Sequence, residues 1–258
     1  MTKLRFLSRE YCAVNSFNYY NCVRDTQSKV MSALKPLRLL LLGAPGSGKG
    51  TQTFKLLKQF PQIKSVSSGD LLRQKIEEQS ELGKLASSYI SSGKLLPDEL
   101  ITKLVISDLS TKQWLKPSAT WLLDGFPRTV GQAQTLDNEL AAHNAQLNLV
   151  VELDVPEEVI LERIENRYVH VPSGRVYNLQ YNPPREPGRD DITGEPLTKR
   201  PDDTAEVFGK RLEQYKNTVT PLKKHYANQG ILRTISGETS DIIFPKLVDL
   251  VKTKFGHN

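Results

Sequence analysis

The run GAPGSGKGT, Gly43 to Thr51, is built to hold phosphate. Gly43, Gly48 and Lys49 satisfy G-x-x-x-x-G-K, with Gly50 standing where a Ser or Thr completes the usual P-loop. Glycines let consecutive backbone N–H groups point inward at phosphate oxygens, and a following helix presents its positive end. Gly46, Ser47, Gly48, Gly50 and Thr51 are the cradle, and Lys49 adds a cation near a transferred phosphoryl group. A second run, LLDGFPR, ends an apolar stretch in Asp124, with Arg128 four residues on. A carboxylate at the tip of a buried strand beside that loop can organise the water shell of Mg²⁺. Further arginines recur: Arg73 after SSGD, Arg163 and Arg167 one turn apart on one helix face, then Arg200 and Arg211. Phosphoryl transfer needs preorganised cations and exclusion of water more than covalent help from the protein. Arg73, Arg128, Arg163, Arg167, Arg200 and Arg211 together with Lys49 fit two bound nucleotides better than one.

Those residues need a scaffold, and the sequence supplies one. Leu37 to Leu42 is a continuous apolar run, the pattern of a central parallel strand covered on both faces. Ile63 to Ser67, Thr120 to Leu123, Leu147 to Leu153 and Ile231 to Ile235 read as further strands. Helical patterns occupy 70–79, 81–92, 97–109, 156–167, 205–227 and 240–254, with a helix also following the glycine-rich loop. The expected fold class is α/β, a P-loop NTPase-type parallel sheet flanked by helices with right-handed crossovers. Residues 168–203 differ in kind, with prolines at 172, 183, 184, 187, 196 and 201, and read as a small irregular β insertion.

Charge and cysteine usage narrow the class of function. The 258 residues carry 35 basic and 29 acidic groups, a formal net charge of +6. Lys3, Arg5, Arg9, Arg24, Lys29 and Lys35 against Glu10 and Asp25 place +4 of this within residues 1–36. The remainder is nearly balanced, which argues against a surface that coats nucleic acid. No apolar run reaches membrane-spanning length. Both cysteines, Cys12 and Cys22, also lie in the first segment. There, Leu4, Leu7, Tyr11 and Val14 share one helical face opposite Arg5 and Arg9, the pattern of a mitochondrial presequence. A disordered tail, or an extension upstream of a start at Met31, are the alternatives, with folded structure expected near Leu37.

Taken together, GAPGSGKGTQ (43–52), SSGDLLR (67–73), GKLLPDEL (93–100), LLDGFPRT (122–129), SGRVYNLQYNPP (173–184) and DDITGEPL (190–197) resemble the adenylate kinase family, long-lid type. The resemblance runs from about Leu37 to the C-terminus. It implies a nucleoside monophosphate kinase domain over 37–258, with a monophosphate-binding part at 67–96 and a lid at 168–205 hinged near Asp202 and Asp203. It places AMP on Ser68, Arg73, Lys94, Leu95, Leu96, Gly125, Phe126, Pro127, Arg128 and Gln132, with Gln132 reading the adenine. It places the donor on Gly46 to Thr51, Arg163, Val176, Tyr177 and Thr239. Lys49, Asp124, Arg128, Arg167, Arg200 and Arg211 are then the catalytic set, Arg200 and Arg211 also touching AMP, and Asp124 holds Mg²⁺ through water. Some members bind zinc in the lid through C-x2-C-x16-C-x2-C. Here that spacing reads His170, Ser173, Asp190, Thr193, which implies side-chain hydrogen bonds in place of structural zinc.

Within the family, SSGDLLR, GKLLPDEL and SGETSDIIFP (236–245) are most similar to the mitochondrial matrix branch, whose members phosphorylate AMP with GTP. ATP as donor is the alternative, to be decided by backbone groups around Gly237 to Thr239, and ITP stands with GTP. The resemblance also implies a monomer brought to the matrix by the import machinery through its N-terminal segment. A GTP-binding switch is a more distant reading. It would need no second nucleotide pocket, which SSGDLLR and DGFPR contradict.

Overall fold

The computed structural model describes residues 34–180, 182–200 and 204–256. The presequence pattern, both cysteines, Met31, Asp202 and Asp203 lie outside the described residues. Seven strands and eight α-helices are described: β1 (Arg38–Gly43), α1 (Lys49–Gln59), β2 (Lys64–Ser67), α2 (Ser68–Glu77), α3 (Glu81–Ser91), α4 (Asp98–Thr111), β3 (Trp121–Asp124), α5 (Val130–Ala142), β4 (Leu149–Asp154), α6 (Glu157–Glu165), β5 (Arg167–His170), β6 (Arg175–Asn178), α7 (Ala205–Asn228), β7 (Leu232–Ser236) and α8 (Ser240–Phe255). Five strands form a parallel sheet in the order β2-β3-β1-β4-β7, and β5 pairs antiparallel with β6 apart from it.

The apolar run of β1 is buried on both faces. Leu39 and Leu41 pack with Leu56, Phe60, Ile243, Leu247 and Val251 from the α1 and α8 side. Leu40 and Leu42 pack with Val105, Leu109, Leu136, Leu140 and Tyr226 from α4, α5 and α7. A strand with two apolar neighbours has no solvent face, which is why its sequence shows no alternation. The first described residues already belong to the fold: Leu34 bridges to Gly256, and the Lys35 amide donates to the Phe255 carbonyl at 2.7 Å.

Two readings of the sequence need correction. Arg163 and Arg167 do not share a helix face, because α6 ends at Glu165 and Arg167 opens β5. Helix α5 has no counterpart among the helical patterns of the sequence. Its buried face is Gln132, Ala133, Leu136 and Leu140, a stripe with one polar and one very small member, so the periodic signal is faint.

Register positions the site. In the β1–β3–β2 part of the sheet, Asp124 pairs with Leu41 on one side and with Ser67 on the other. The loops leaving these strands therefore open at the same sheet edge, where α/β sheets place their ligand sites. Ser67 then caps α2 by accepting from the Asp70 amide, and Ser80 caps α3 by accepting from the Gly83 amide at 3.1 Å. The two helices cross so closely that a Cβ on Gly83 would fall 1.8 Å from the Lys75 carbonyl oxygen. Gly83→Ala is expected to lower stability by about 1–3 kcal/mol, the usual cost of overpacking, as read from urea unfolding.

Candidate active site

The segment from Gly43 to Thr51 turns from β1 into α1. Gly46 and Gly48 take φ of 82° and 90°, which L side chains rarely adopt. Gly48 occupies the helix N-cap and has no side chain to accept from the first-turn amides, so these donors point outward at the loop mouth. Lys49 Nζ donates to the Gly43 and Ala44 carbonyls, at 2.7 and 2.9 Å. Burial pushes its pKa down to about 8; nearby Asp124 opposes this, and Arg128 and Arg167 reinforce it. Asp124 is raised by desolvation against the pull of Lys49. Its Oδ2 lies 4.0 Å from where a Cβ on Gly50 would be, so the carboxylate faces the position whose hydroxyl this loop lacks.

The opposite wall comes from β3, α2 and α5. Ser68 Oγ and Arg128 Nε both donate to the Gly125 carbonyl, at 2.8 and 2.7 Å. Gln132 is locked: its Oε1 accepts from the Arg128 amide at 2.7 Å and its Nε2 donates to Asp98 Oδ1 at 2.8 Å. Asp98 also accepts from Thr129 Oγ1 at 2.7 Å. Arg73 pairs with Asp70, and Arg211 donates to the Ile90 carbonyl at 3.3 Å. Burial lowers the Arg128 pKa, and Arg211 adds to the effect.

One cavity gathers nearly all the expected site residues. It is lined by Gly46, Gly48, Lys49, Gly50, Thr51, Ser68, Arg73, Lys94, Leu95, Leu96, Asp124, Gly125, Phe126, Pro127, Arg128, Gln132, Arg163, Arg167, Val176, Tyr177, Arg200 and Arg211. Two expected residues do not line it. Ser47 is 1% exposed and tucked beneath Gly43, whose added Cβ would come within 2.5 Å of Ser47 Oγ. Thr239 caps α8 by accepting from the Ile242 amide, and Ser240 stands at the cavity in its place. Arg163 donates to the Glu238 carbonyl, which ties α6 to this same loop.

Tyr177 reaches the cavity wall, but its hydroxyl is turned inward. It donates to Asp190 at 2.8 Å and accepts from the Asp191 amide at 2.9 Å. The four positions of the zinc spacing do meet in the β5–β6 insertion. His170 Nδ1 contacts Ser173 Oγ at 2.6 Å and Nε2 contacts Glu195 at 2.5 Å, while Thr193 Oγ1 donates to Asp190 at 3.0 Å. Arg175 grips the buried Asp190 through two bonds, at 2.7 and 2.6 Å, and holds its carboxyl far below the ordinary range.

Asp98, Ser240 and Asp70 also belong to the site, and all three lie inside the motifs at 93–100, 236–245 and 67–73. The crossing of chain segments that sets Asp98 against Gln132, and Arg200 and Gly174 against Asp70, leaves no local signal in the sequence.

A glycine-rich phosphate loop, a facing carboxylate and six arginines on one cavity define a class of protein, and comparison gives its family. A family model described as adenylate kinase matches residues 41–231. The chain belongs to the adenylate kinase family. It is 71% identical over 228 residues to a Saccharomyces cerevisiae protein named "GTP:AMP phosphotransferase, mitochondrial", covering 88% of this chain and 97% of that one. A Drosophila melanogaster protein of the same name is 41% identical over 213 residues, 83% of this chain and 94% of its own. A Syntrophomonas wolfei protein named "Adenylate kinase" is 42% identical over 201 residues, 78% and 92% of the two chains.

Two outcomes test the electrostatics. Phosphates bound at this loop would stabilise charged Lys49, so binding would take up a proton wherever the unliganded lysine is neutral. Donor affinity should therefore fall as pH rises above about 8, by up to about tenfold per unit, in calorimetric titrations, and Lys49→Met should flatten that slope. Asp190→Asn should weaken the β5–β6 insertion by about 3 kcal/mol, seen as faster proteolysis there. Because the Asp190 pKa is depressed, its contribution is fully present above about pH 5 and is lost progressively as the pH falls from there toward the lowered value.

Proposed function

We propose that this chain transfers the terminal phosphoryl group of GTP, or of ITP in its place, to AMP, giving GDP or IDP and ADP. The observation that carries the reading is the single cavity with two built walls, one from the 43–51 loop and one from Ser68, Gly125–Arg128 and Gln132, with the arginines between. A GTP-binding switch has use for the first wall only. The printed names of the relatives at 71% and 41% identity favour GTP over ATP, and ATP is the second reading because the bacterial relative carries the broader family name.

In this reading the donor phosphates lie along Gly46 to Thr51, with Arg163, Val176, Tyr177 and the loop at Glu238–Ser240 near its base. AMP lies on Ser68, Arg73, the Lys94–Leu96 backbone, Gly125–Arg128 and Gln132. A phosphate oxygen of AMP attacks the terminal phosphorus in line, and the bond to the leaving diphosphate breaks as the new one forms. Lys49, Arg128, Arg167, Arg200 and Arg211 hold the charge that spreads over the equatorial oxygens, and none exchanges a proton with substrate. The fixed bond from Gln132 to Asp98 leaves one amide hydrogen of Gln132 for an adenine acceptor. Segments 67–96 and 168–205 act as monophosphate-binding part and lid, and closure keeps water from the terminal phosphate.

The donor set suits Mg²⁺. Asp124 supplies one hard oxygen at the loop mouth, and Mg²⁺ is commonly held by one or two carboxylates plus phosphates and water. Bound there, the ion would draw negative charge from the phosphates and favour the ionised form of Asp124. We infer a mitochondrial matrix location and import through the N-terminal segment from the relatives' names and the basic amphipathic pattern of residues 1–36. Among the described residues no helix is long and apolar enough to cross a membrane. A monomer is the assembly this reading uses, since one chain contains both walls.

The deciding experiment is the initial rate with AMP and Mg²⁺, comparing GTP, ITP and ATP at equal concentration. GTP should be preferred. An ATP preference would establish the second reading, and no AMP-dependent rate with any donor would discard both. Arg128→Ala should lower kcat by about a hundredfold or more with the circular dichroism spectrum unchanged.

A further inference from the structure

Among the cavity-lining residues the cations are Lys49, Arg73, Lys94, Arg128, Arg163, Arg167, Arg200 and Arg211, and the carboxylates are Asp70 and Asp124. Asp124 faces Lys49. Asp70 lies elsewhere, on the first turn of α2, and meets three groups from separate parts of the chain. Its Oδ1 accepts from Arg73 Nη2, one turn along the same helix. Arg200 Nη2, at the far end of the β5–β6 insertion, stands 4.0 Å from that same oxygen. The turn between β5 and β6 also comes against it, since a Cβ on Gly174 would lie 3.5 Å from Asp70 Oδ2. Asp70 further helps raise the Asp124 pKa, so its charge reaches the middle of the site.

We propose that Asp70 is a positioning residue that ties the acceptor-side helix to the lid. One carboxylate aims Arg73 and receives the lid at Gly174 and Arg200, so the two arginines assigned to the acceptor phosphate share one counter-ion. This rests on the reading of 67–96 and 168–205 given above. An isolated exposed pair would contribute little, and the Asp70 side chain is half exposed. Here the carboxylate sits amid an excess of like-charged arginines that would otherwise push the two segments apart, and among the described residues that line the cavity no other carboxylate is placed between them. Two consequences follow that local aiming of Arg73 alone would not produce. Removing the charge loosens the lid in the free protein. It also weakens the donor, whose proposed contacts include the lid but not α2.

The test is Asp70→Asn in the full chain, an exchange that keeps size and leaves the α2 cap, Ser67, in place. Hydrogen exchange of backbone amides in Arg167–Asn178, without ligand, should quicken by about threefold or more. GTP and ATP binding without AMP should weaken by about threefold or more in calorimetry. In steady state, KM for AMP should rise while kcat stays the same or increases, because an easier opening speeds product release. Asp70→Glu should recover most of the lid protection. Unchanged lid exchange and unchanged donor affinity in Asp70→Asn would overturn the proposal, even with a raised KM for AMP, and would leave Asp70 as a partner of Arg73 only. A fall in kcat with KM unchanged would also overturn it. The exchange measurement uses no substrate, so its result stands apart from whether GTP, ATP or neither proves to be the donor.

Discussion

The dominant constraint on this molecule is an excess of positive charge around one cavity: among the described residues that line it, eight cationic side chains stand against two carboxylates. Two like charges about 8 Å apart at an effective dielectric near 20 repel by about 2 kcal/mol, and the depressed pKa values of Lys49 and Arg128 register that repulsion together with burial. Backbone carbonyls take up part of the strain. Lys49 is held by Gly43 and Ala44, Arg128 by Gly125, Arg163 by Glu238 and Arg211 by Ile90. The rest falls on the two-sided core of β1, whose leucines are almost wholly buried and fix the strand ends that carry the loops. A polyanionic ligand would relieve the repulsion.

How much of this was legible in the sequence depended on whether the signal was local. The strand-to-loop transition at Gly43 was plain because an apolar run, glycines and a lysine stand next to one another, and the resemblance added the second wall through its motifs. Helix α5 was missed because Ala133 and the buried Gln132 replace strong apolar residues on its inner face. Arg167 was assigned to a helix because the residues before it keep a helical pattern, and nothing in that pattern reports that the chain leaves at Asn166 to pair β5 with β6. Thr239 and Ser240 are adjacent and chemically alike. Only the cap geometry decides that one serves the helix and the other faces the cavity.

The insertion shows the same limit from the other side. The spacing of His170, Ser173, Asp190 and Thr193 indicated that these positions meet, and they do. The spacing did not reveal that Arg175, Tyr177 and Glu195 complete the lattice. Asp190 accepts from Arg175, Tyr177 and Thr193, a satisfied buried network of the kind that specifies one arrangement, whereas a half-satisfied one would cost more than an apolar core. Tyr177 belongs to this lattice by its hydroxyl and to the cavity by its ring. The wall that the proposed donor base would meet is therefore braced from within the insertion.

This division of labour explains why the charged groups of the cavity come from such different places. Lys49, Asp124 and Arg128 sit at sheet edges, where the core holds them whether or not anything is bound. Arg73, Arg167, Arg200 and Arg211 come from α2, the insertion and α7, elements set outside the parallel sheet. Were all of them carried by the sheet, the repulsion would be permanent and water would have standing access to an assembled site. Distributing them over separate segments would let the positive field tighten further as those segments draw in around phosphate. On the proposed reading, that is the condition under which the terminal phosphoryl group meets AMP before it meets water.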